Sequence, residues 1–319
     1  MNKKELISFV IPCYNSTDTL DIVVTEIQSV MKEKLKEYNY EIILVNDGSP
    51  DGTTFHKIRE IAAKNSSVKG INLARNFGQP SAVMAALNHA QGDYIVCGDD
   101  DGQTPFTEVP LFLEKIKAGY DIVEAKYTRT EKKTLFRRFG TYMNEHMATW
   151  LINKPDGIVL TTFWIIRKFV KDEMIRYRNP YPYLGGLLMR VSQNVCNIEV
   201  TRKKRVQGKS NYSFIKMLKL WLNGFTSFSV KPLRLSSIFG LILAVASFIY
   251  GIAIFIKKLL NPSMSAGYAS IFIVILVLFG FMFIFIGLLG EYVGRIYMSL
   301  NNSPQYIIRE NINIQTENE

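Results

Sequence analysis

Three consecutive carboxylates offer the most specific chemistry in this sequence. Asp99, Asp100 and Asp101 follow a short apolar run, and Gln103 comes two residues after them. Carboxylates at positions i and i+2 after a buried strand can share one hard divalent cation, which prefers oxygen ligands and bridges phosphate oxygens. Such a metal at Asp99 and Asp101 would neutralise charge on a departing nucleoside diphosphate. A solvated acidic loop is the alternative, and the position at a strand end favours the metal site.

Two further polar segments have a structural and a functional interpretation. Asn46–Ser49 is either a simple turn or a loop that presents Asp47 as an acceptor for a nucleobase N–H. The basic run Arg202–Arg205, with Lys209 after it, is either a lipid-facing patch or a phosphate clamp, because guanidinium groups bind phosphate oxygens bidentately. The chain contains no G-x-G-x-x-G and no Walker A pattern, which argues against a dinucleotide enzyme or a P-loop kinase.

These residues need a scaffold, and the first half of the chain predicts an α/β one. Apolar runs that predict strands alternate with helical patterns, which argues for a parallel sheet with helices on both faces. The predicted strands are Leu6–Ile11, Tyr40–Val45, Val68–Leu73, Asp93–Cys97 and Asp121–Lys126. The predicted helices are Thr19–Lys36, Thr53–Lys64, Gln79–Ala90 and Thr107–Ala118. In such sheets ligands bind beyond the carboxyl ends of the strands, where the polar segments of this chain fall.

The charge and the apolar C-terminal part indicate a membrane. The 38 Lys and Arg residues exceed the 28 Asp and Glu residues by 10, which suggests nucleic acid, an anionic membrane or a phosphorylated substrate as partner. Leu235–Ile256 and Tyr268–Gly290 contain no charged residue, and each exceeds the roughly 20 residues that cross a bilayer as a helix. A very apolar core helix is the alternative for each span. The two predicted spans form a hairpin around residues 257–267.

The flanking segments predict how the chain lies at the membrane. Residues 213–230 are amphipathic, which indicates a helix in the membrane interface or a helix packed on the globular domain. The N-terminus is not a signal peptide, so we expect a cytoplasmic N-terminal domain. We predict a catalytic domain over 1–212, a juxtamembrane region over 213–234, a two-helix transmembrane hairpin over 235–297 and a cytoplasmic tail over 298–319.

In this order, the motifs resemble glycosyltransferase family 2, specifically the polyprenyl-phosphate glycosyltransferases. The resemblance extends from about Ile7 to Glu310. The matching stretches are Ile11–Asn15, Val45–Ser49, Arg75–Gly78, Asp99–Pro105, Arg205–Tyr212, Ser227–Arg234 and Gly290–Tyr297. It implies a GT-A (Rossmann-like) catalytic domain that transfers a sugar with inversion from a nucleotide-sugar, usually a UDP-sugar, with Mg²⁺ or Mn²⁺. It also implies a polyprenyl-phosphate acceptor, undecaprenyl phosphate if the source is bacterial, and suggests a homotetramer at the plasma (inner) membrane.

Roles carry over residue by residue from this resemblance. The D-x-D metal and diphosphate site is Asp99 and Asp101, with Gln103 beside it. Phosphate would meet Arg205, and the neighbouring Arg202 and Lys209 are expected to hold the lipid phosphate. The nucleotide would be held by Pro12, Tyr14, Asp47 and Arg75.

Two departures from the family pattern concern the site. The family often has Glu where this chain has Ser16, and an Asp, proposed as catalytic base, where alignment on Phe163 places Thr162. Thr is no general base at neutral pH, but a phosphate monoester has its second pKa near ~6, so the acceptor needs little deprotonation. We therefore expect Thr162 to hydrogen-bond the sugar or the acceptor phosphate. Asp156 is a substitute base or simply part of a turn.

Two other functions compete with this interpretation. A processive polysaccharide synthase would carry a Q-x-x-R-W motif and more membrane spans, and no Arg-Trp pair occurs here. A catalytically silent scaffold would explain Ser16 and Thr162, but clustered idle carboxylates repel one another, which argues against it. The identity of the sugar depends on residues 126–183, in which we find no specificity rule.

Overall fold

The computed structural model describes residues 4–128, 149, 152–203, 231–261 and 267–314. The chain divides into two compact units, Met1–Met217 with Asn302–Glu319, and Leu218–Asn301. The predicted amphipathic helix over residues 213–230 lies outside the described residues, as do Arg205 and Lys209.

An eight-stranded mixed sheet forms the centre of the first unit, in the order β7-β5-β6-β4-β1-β2-β3-β8. Its strands are β1 (Leu6–Cys13), β2 (Asn39–Asn46), β3 (Val68–Leu73), β4 (Tyr94–Cys97), β5 (Ile122–Tyr127), β6 (Trp164–Arg167), β7 (Val195–Val200) and β8 (Ile308–Ile312). The pairs β1–β2, β1–β4, β2–β3 and β5–β7 are parallel. β1 and β4 are almost wholly buried, which explains their continuous apolar sequences.

Helices cover the sheet, and their apolar faces complete the core. They are α1 (Leu20–Glu33), α2 (Thr54–Lys64), α3 (Gln79–His89), α4 (Val109–Lys117), α5 (Lys168–Met174) and α6 (Leu184–Val191). In α1, Leu20, Val23, Val24 and Ile27 are buried, the i, i+3, i+4, i+7 spacing of one helical face. The five predicted strands and four predicted helices of the first half are confirmed, with ends that differ by up to three residues.

The five predicted strands run parallel to one another, as expected, but two strands outside that set make the sheet mixed. β6 runs antiparallel to both β4 and β5, and β8 runs antiparallel to β3. β5 ends at the carboxyl edge of the sheet and the chain re-enters the sheet near that edge at Trp164, so β6 must run in the opposite direction. β8 comes from the segment predicted only as a tail, and it covers the edge of β3.

The second unit contains two long apolar helices, α7 (Lys231–Leu260) and α8 (Tyr268–Leu300). Both are long and apolar enough to cross a membrane, over Leu233–Ile254 and Val277–Leu300, and no part of either window is buried. The core-helix alternative requires burial, so the exposure favours membrane spans. The helices contact each other through Phe239, whose ring centroid lies 5.3 Å from that of Phe281.

Candidate functional site

The candidate site lies where the order of the strands reverses. β1 lies between β2 and β4, so the chain moves outward in one direction through β2 and β3 and then returns to the other side of β1. The carboxyl ends of β1 and β4 therefore diverge into a crevice, the usual ligand position in such sheets. Tyr14 follows β1 and the three aspartates follow β4. The two loops are joined, because the Tyr14 N–H donates to Asp100 Oδ2 at 3.0 Å.

Two side chains from other parts of the chain hold the Asp99 carboxylate. The Thr162 hydroxyl donates to Asp99 Oδ2 at 2.7 Å, and Gln79 Nε2 donates to Asp99 Oδ1 at 2.9 Å. Burial raises the pKa of Asp99, and the nearby Asp101 raises it further, while the Thr162 and Gln79 hydrogen bonds lower it. The carboxylate is thus oriented from both oxygens beside a second carboxylate. Thr162 was expected to contact the sugar or the acceptor phosphate, and in the structure its proton is directed to Asp99.

Asp101 and Gln103 form the other side of the same loop. The Gln103 N–H donates to Asp101 Oδ1 at 3.0 Å. Gln103 Nε2 donates to the carbonyl of Lys203 at 3.3 Å, and the Lys203 N–H donates back to the Gln103 carbonyl at 3.2 Å. The segment after β7 is therefore fixed to the D-x-D loop, so the start of the basic run lies against the acidic loop.

Arg202 brings positive charge to this cluster. Its guanidinium carbon lies 5.3 Å from the centroid of the Tyr127 ring, a cation–π arrangement. Its charge is close enough to lower the pKa of Asp99. The lipid-phosphate residues predicted next to it, Arg205 and Lys209, lie outside the described residues.

The cluster fits a hard divalent cation. Asp99 and Asp101 supply carboxylate oxygens close enough to repel each other, and carboxylates are ligands that Mg²⁺ and Mn²⁺ accept. Across the described ranges, no group of three or more His, Cys, Asp and Glu side chains is arranged to hold a metal. A metal here would therefore take its remaining ligands from a bound diphosphate and water, the usual situation for Mg²⁺ at phosphate sites.

Asp47 is buried and fastens the loop that follows β3. Its Oδ1 accepts from the Phe77 N–H at 2.8 Å and its Oδ2 from the Gly78 N–H at 2.9 Å. Burial raises the pKa of Asp47 to about 6, and these two hydrogen bonds oppose the rise. Each carboxylate oxygen has a second lone pair, so the predicted contact with a nucleobase N–H is compatible with this arrangement.

The loops after β2 and β3 approach each other through a glycine. Gly48 has φ +60°, and a Cβ on it would lie 2.2 Å from the carbonyl carbon of Arg75. Arg75 itself is exposed, with its guanidinium carbon 4.5 Å from the centroid of Phe77. Beside these loops is a cavity of about 350 Å³ whose lining includes Arg75 and, from the C-terminal segment, Arg309.

The structure therefore gathers some predicted residues and separates others. Asp99, Asp101, Gln103, Thr162 and Arg202 form one cluster. Tyr14 joins it through Asp100, and burial raises the Asp100 pKa to about 6. Three other residues were predicted to bind the nucleotide: Asp47 and Arg75 lie in the neighbouring loop pair, and Pro12 is buried at the end of β1.

Sequence reasoning missed three residues: Gln79, which donates to Asp99, Asp100, which accepts from Tyr14, and Arg309, which lines the cavity with Arg75. Gln79 directly follows the Arg75–Gly78 motif and Asp100 lies inside the acidic triplet, so motif proximity was a usable signal for both. Arg309 had none, since it lies in the segment predicted as a tail. Asp156 is exposed in a turn that contains Gly157 at φ +78°, which favours the turn interpretation over the substitute base.

This mixed sheet, with its acidic loop at the switch point, has a GT-A-type fold. The model of the family Glycosyl transferase family 2 matches residues 8–181. The chain belongs to that family.

Related proteins match over nearly the whole chain. An undecaprenyl-phosphate 4-deoxy-4-formamido-L-arabinose transferase of Proteus mirabilis is 32% identical over 98% of this chain and 95% of its own length. A prophage-derived bactoprenol glucosyl transferase of Shigella flexneri is 34% identical over 95% of this chain and 97% of its own length. Glucosyl-3-phosphoglycerate synthase from Mycobacterium tuberculosis shares the fold, with a TM-score of 0.51, 17% identity, and coverage of 70% of this chain and 80% of that chain.

Proposed function

We propose that this chain transfers one sugar from a nucleotide-sugar, a UDP-sugar, to a polyprenyl phosphate, undecaprenyl phosphate, with inversion at the anomeric carbon. The observation that carries the proposal is the Asp99 carboxylate held by Thr162 and Gln79 beside Asp101, at the switch point of the sheet. The names of the two full-length relatives support the lipid acceptor. The charge of Arg202 beside the cluster suits a reaction between two phosphorylated substrates.

The proposed reaction needs little proton transfer. A phosphate monoester has its second pKa near ~6, so the acceptor is mostly dianionic at neutral pH. One of its oxygens forms a bond to the anomeric carbon while the bond from that carbon to the diphosphate oxygen breaks, and a single displacement inverts the configuration. Thr162 then has no proton to accept, which agrees with its hydroxyl donating to Asp99.

Charge stabilisation is the main task that remains for the protein. A bound Mg²⁺ or Mn²⁺, held by Asp99 and Asp101 with Gln103 beside it, would supply Lewis-acid stabilisation of the departing diphosphate. Asp47 and the loop that it fastens would bind the nucleotide, together with Pro12, Tyr14 and Arg75. Arg202, with Arg205 and Lys209, would bind the lipid phosphate.

The proposed reaction takes place at the plasma (inner) membrane. α7 and α8 would span the bilayer as a hairpin, and the absence of charged residues from 235–256 and 268–290 supports that arrangement. The basic run that begins at Arg202 suits the phosphate of a lipid at an anionic membrane surface. The catalytic unit would be cytoplasmic and the assembly a homotetramer, as the family resemblance implies.

The test is a product assay with a panel of donors. The purified full chain in detergent is incubated with undecaprenyl phosphate, Mn²⁺ and one of UDP-glucose, UDP-galactose, UDP-GlcNAc, UDP-GalNAc or GDP-mannose, and the lipids are analysed by mass spectrometry. A lipid phosphate sugar that disappears with EDTA and with Asp101→Asn supports the proposal. Asp172→Asn is the matched control, because Asp172 is a carboxylate outside the site that pairs with Lys171.

Other outcomes would contradict the proposal. Formation of a polymer would indicate a processive synthase. Absence of product from every donor, together with absence of nucleotide binding, would indicate the silent scaffold.

A further inference from the structure

A buried glutamate contacts the segment that carries Thr162. Glu124, on β5, is fully buried. Its Oε2 accepts from the Thr161 N–H at 2.9 Å and from the Thr161 hydroxyl at 3.3 Å. Among the described residues, Thr161 is the one that donates hydrogen bonds to the Glu124 carboxyl. The residue after Thr161 is Thr162, whose hydroxyl holds Asp99.

The segment that leads to Thr162 is also fixed at a second point. Asn197, on β7, accepts from the Val159 N–H through Oδ1 at 2.8 Å and donates to the Val159 carbonyl through Nδ2 at 2.8 Å. Its Nδ2 also donates to the Glu124 carbonyl at 3.2 Å. Polar side chains on two neighbouring strands thus hold an irregular segment. Burying such side chains costs free energy unless they are hydrogen-bonded, as they are here.

We propose that Glu124 is a positioning residue for the metal and diphosphate site, acting through Thr161 and Thr162 on the Asp99 carboxylate. The inference rests on the proposed function. Thr162 is exposed, so packing alone does not fix its rotamer, and the backbone that carries it must be held instead. Groups that orient a metal-binding carboxylate typically change metal affinity 10- to 100-fold when removed.

The neutral carboxyl suffices for this role. Burial raises the pKa of Glu124 to about 8, so the group is largely protonated at pH 7 and still has an oxygen to accept from Thr161. Glutamine presents the same acceptor geometry without a titrating proton. Leucine fills a similar volume and accepts nothing.

The experiment measures Mn²⁺ binding rather than turnover. The full-length protein with UDP is titrated with Mn²⁺, and free Mn²⁺ is followed by its electron paramagnetic resonance signal. Glu124→Leu is expected to raise the Mn²⁺ Kd about tenfold or more, and Glu124→Gln to restore it to within about threefold of wild type. Thermal melting of each variant reports folding separately.

Glu41 offers a matched control on the same sheet. It is a buried glutamate near the start of β2, at the end of the parallel strands away from the site. There it accepts from Ser8, Lys69 and the Gln91 N–H. Glu41→Leu is expected to lower the melting temperature and leave the Mn²⁺ Kd of the folded protein unchanged. If Glu124→Leu does not fold, Thr161→Ala removes only the hydroxyl contacts and is expected to raise the Kd by a smaller factor.

A double-mutant cycle distinguishes positioning from general destabilisation. If Glu124 acts through Thr162, Glu124→Leu changes the Mn²⁺ Kd less than about twofold when Thr162 is already Val. Full additivity of the two substitutions, or an unchanged Kd in both Glu124→Leu and Thr161→Ala, would overturn the inference. Failure of the wild-type protein to bind Mn²⁺ with UDP would instead overturn the proposed function on which the inference rests.

Discussion

The Thr162 hydroxyl lies 2.7 Å from Asp99 Oδ2, although the two residues are 63 positions apart in the chain. The register of the antiparallel pair β4–β6 explains the contact. Cys97 pairs with Trp164 in that ladder, and continuing it by two residues places Asp99 opposite Thr162. A directly opposed pair in an antiparallel ladder has neighbouring side chains on one face.

Replacement of Thr162 by Val should therefore weaken metal binding rather than remove a base. Val keeps the shape of Thr but cannot donate to Asp99, so we expect about a tenfold rise in the Mn²⁺ concentration for half-maximal activity. Thr162→Ser keeps the donor and should remain within about threefold of wild type. The measurement is sugar transfer as a function of Mn²⁺ concentration. Unchanged metal dependence and unchanged turnover in Thr162→Val would refute the role.

A substitution at Gly48 tests the close approach of the loops that follow β2 and β3. Its φ is +60°, and a Cβ would overlap the backbone of Arg75 at 2.2 Å, so Gly48→Ala must displace one of the loops. We expect a destabilisation of roughly 3 kcal/mol or more and a large loss of affinity for UDP.

Gly52 is the control for backbone strain without overlap. It has φ +67°, and a Cβ added to it would meet no atom within 4 Å, so Gly52→Ala should cost only about 1–2 kcal/mol. Thermal melting and calorimetric titration with UDP separate the two variants. Equal effects at both positions would show that the contact with Arg75 is unimportant.

The raised pKa of Asp47 predicts a pH dependence of nucleotide binding. With a pKa of about 6, Asp47 is ionised above pH 6 and accepts from both Phe77 and Gly78, whereas protonation below pH 6 takes one lone pair from this arrangement. The affinity for UDP-glucose without metal should thus fall as the pH falls through about 6. UDP-glucose is suitable because its diphosphate is a diester without a secondary ionisation in this range.

The sign of the stability effect of Asp47 is the opposite. Its folded-state pKa lies above the ordinary value of 3.8, so the folded protein binds this proton more tightly than the unfolded chain does. Ionisation consequently costs stability, in full above pH 6, and the cost disappears as the pH falls towards 4. In Asp47→Asn, both the pH step in binding and this slope in stability should be absent. A binding step at pH 6 that persists in Asp47→Asn must arise from another group.

The C-terminal segment should be required for the stability of the first unit. Gln305 is buried, and its Nε2 donates to the carbonyls of Tyr177 at 3.1 Å and Asn179 at 2.9 Å. Gln305→Ala leaves both carbonyls without this donor and should cost about 1–3 kcal/mol. Glu310→Ala removes only the exposed ion pair with Arg59 and should cost less than about 1 kcal/mol. Both are measured by denaturant unfolding, and equal small effects would mean that the segment is peripheral.

Much of the scaffold and part of the site were readable from the sequence. The apolar runs of β1 to β5 and the helical periodicity between them are local patterns, because a strand buried on both faces and a one-sided helix each require a particular spacing of apolar residues. The acidic loop after β4 and the two uncharged spans are also contiguous stretches of sequence, so they can be recognised without the structure. The ordered motifs were enough to assign the family, which the match over residues 8–181 confirms.

Only the tertiary structure decided which polar groups meet. Gln79 and Thr162 hydrogen-bond Asp99, and the charge of Arg202 lowers its pKa, although the three residues come from distant parts of the chain. Glu124 on β5 likewise accepts from Thr161 in the segment before β6. The antiparallel entry of β6 and the addition of β8 to the sheet edge are equally non-local. Strand register and direction follow from how the whole core packs, and a shift of one residue would turn Thr162 away from Asp99. The sequence by itself therefore determined the fold class and the place of the acidic loop after β4, whereas packing of the sheet determined the partners that orient Asp99.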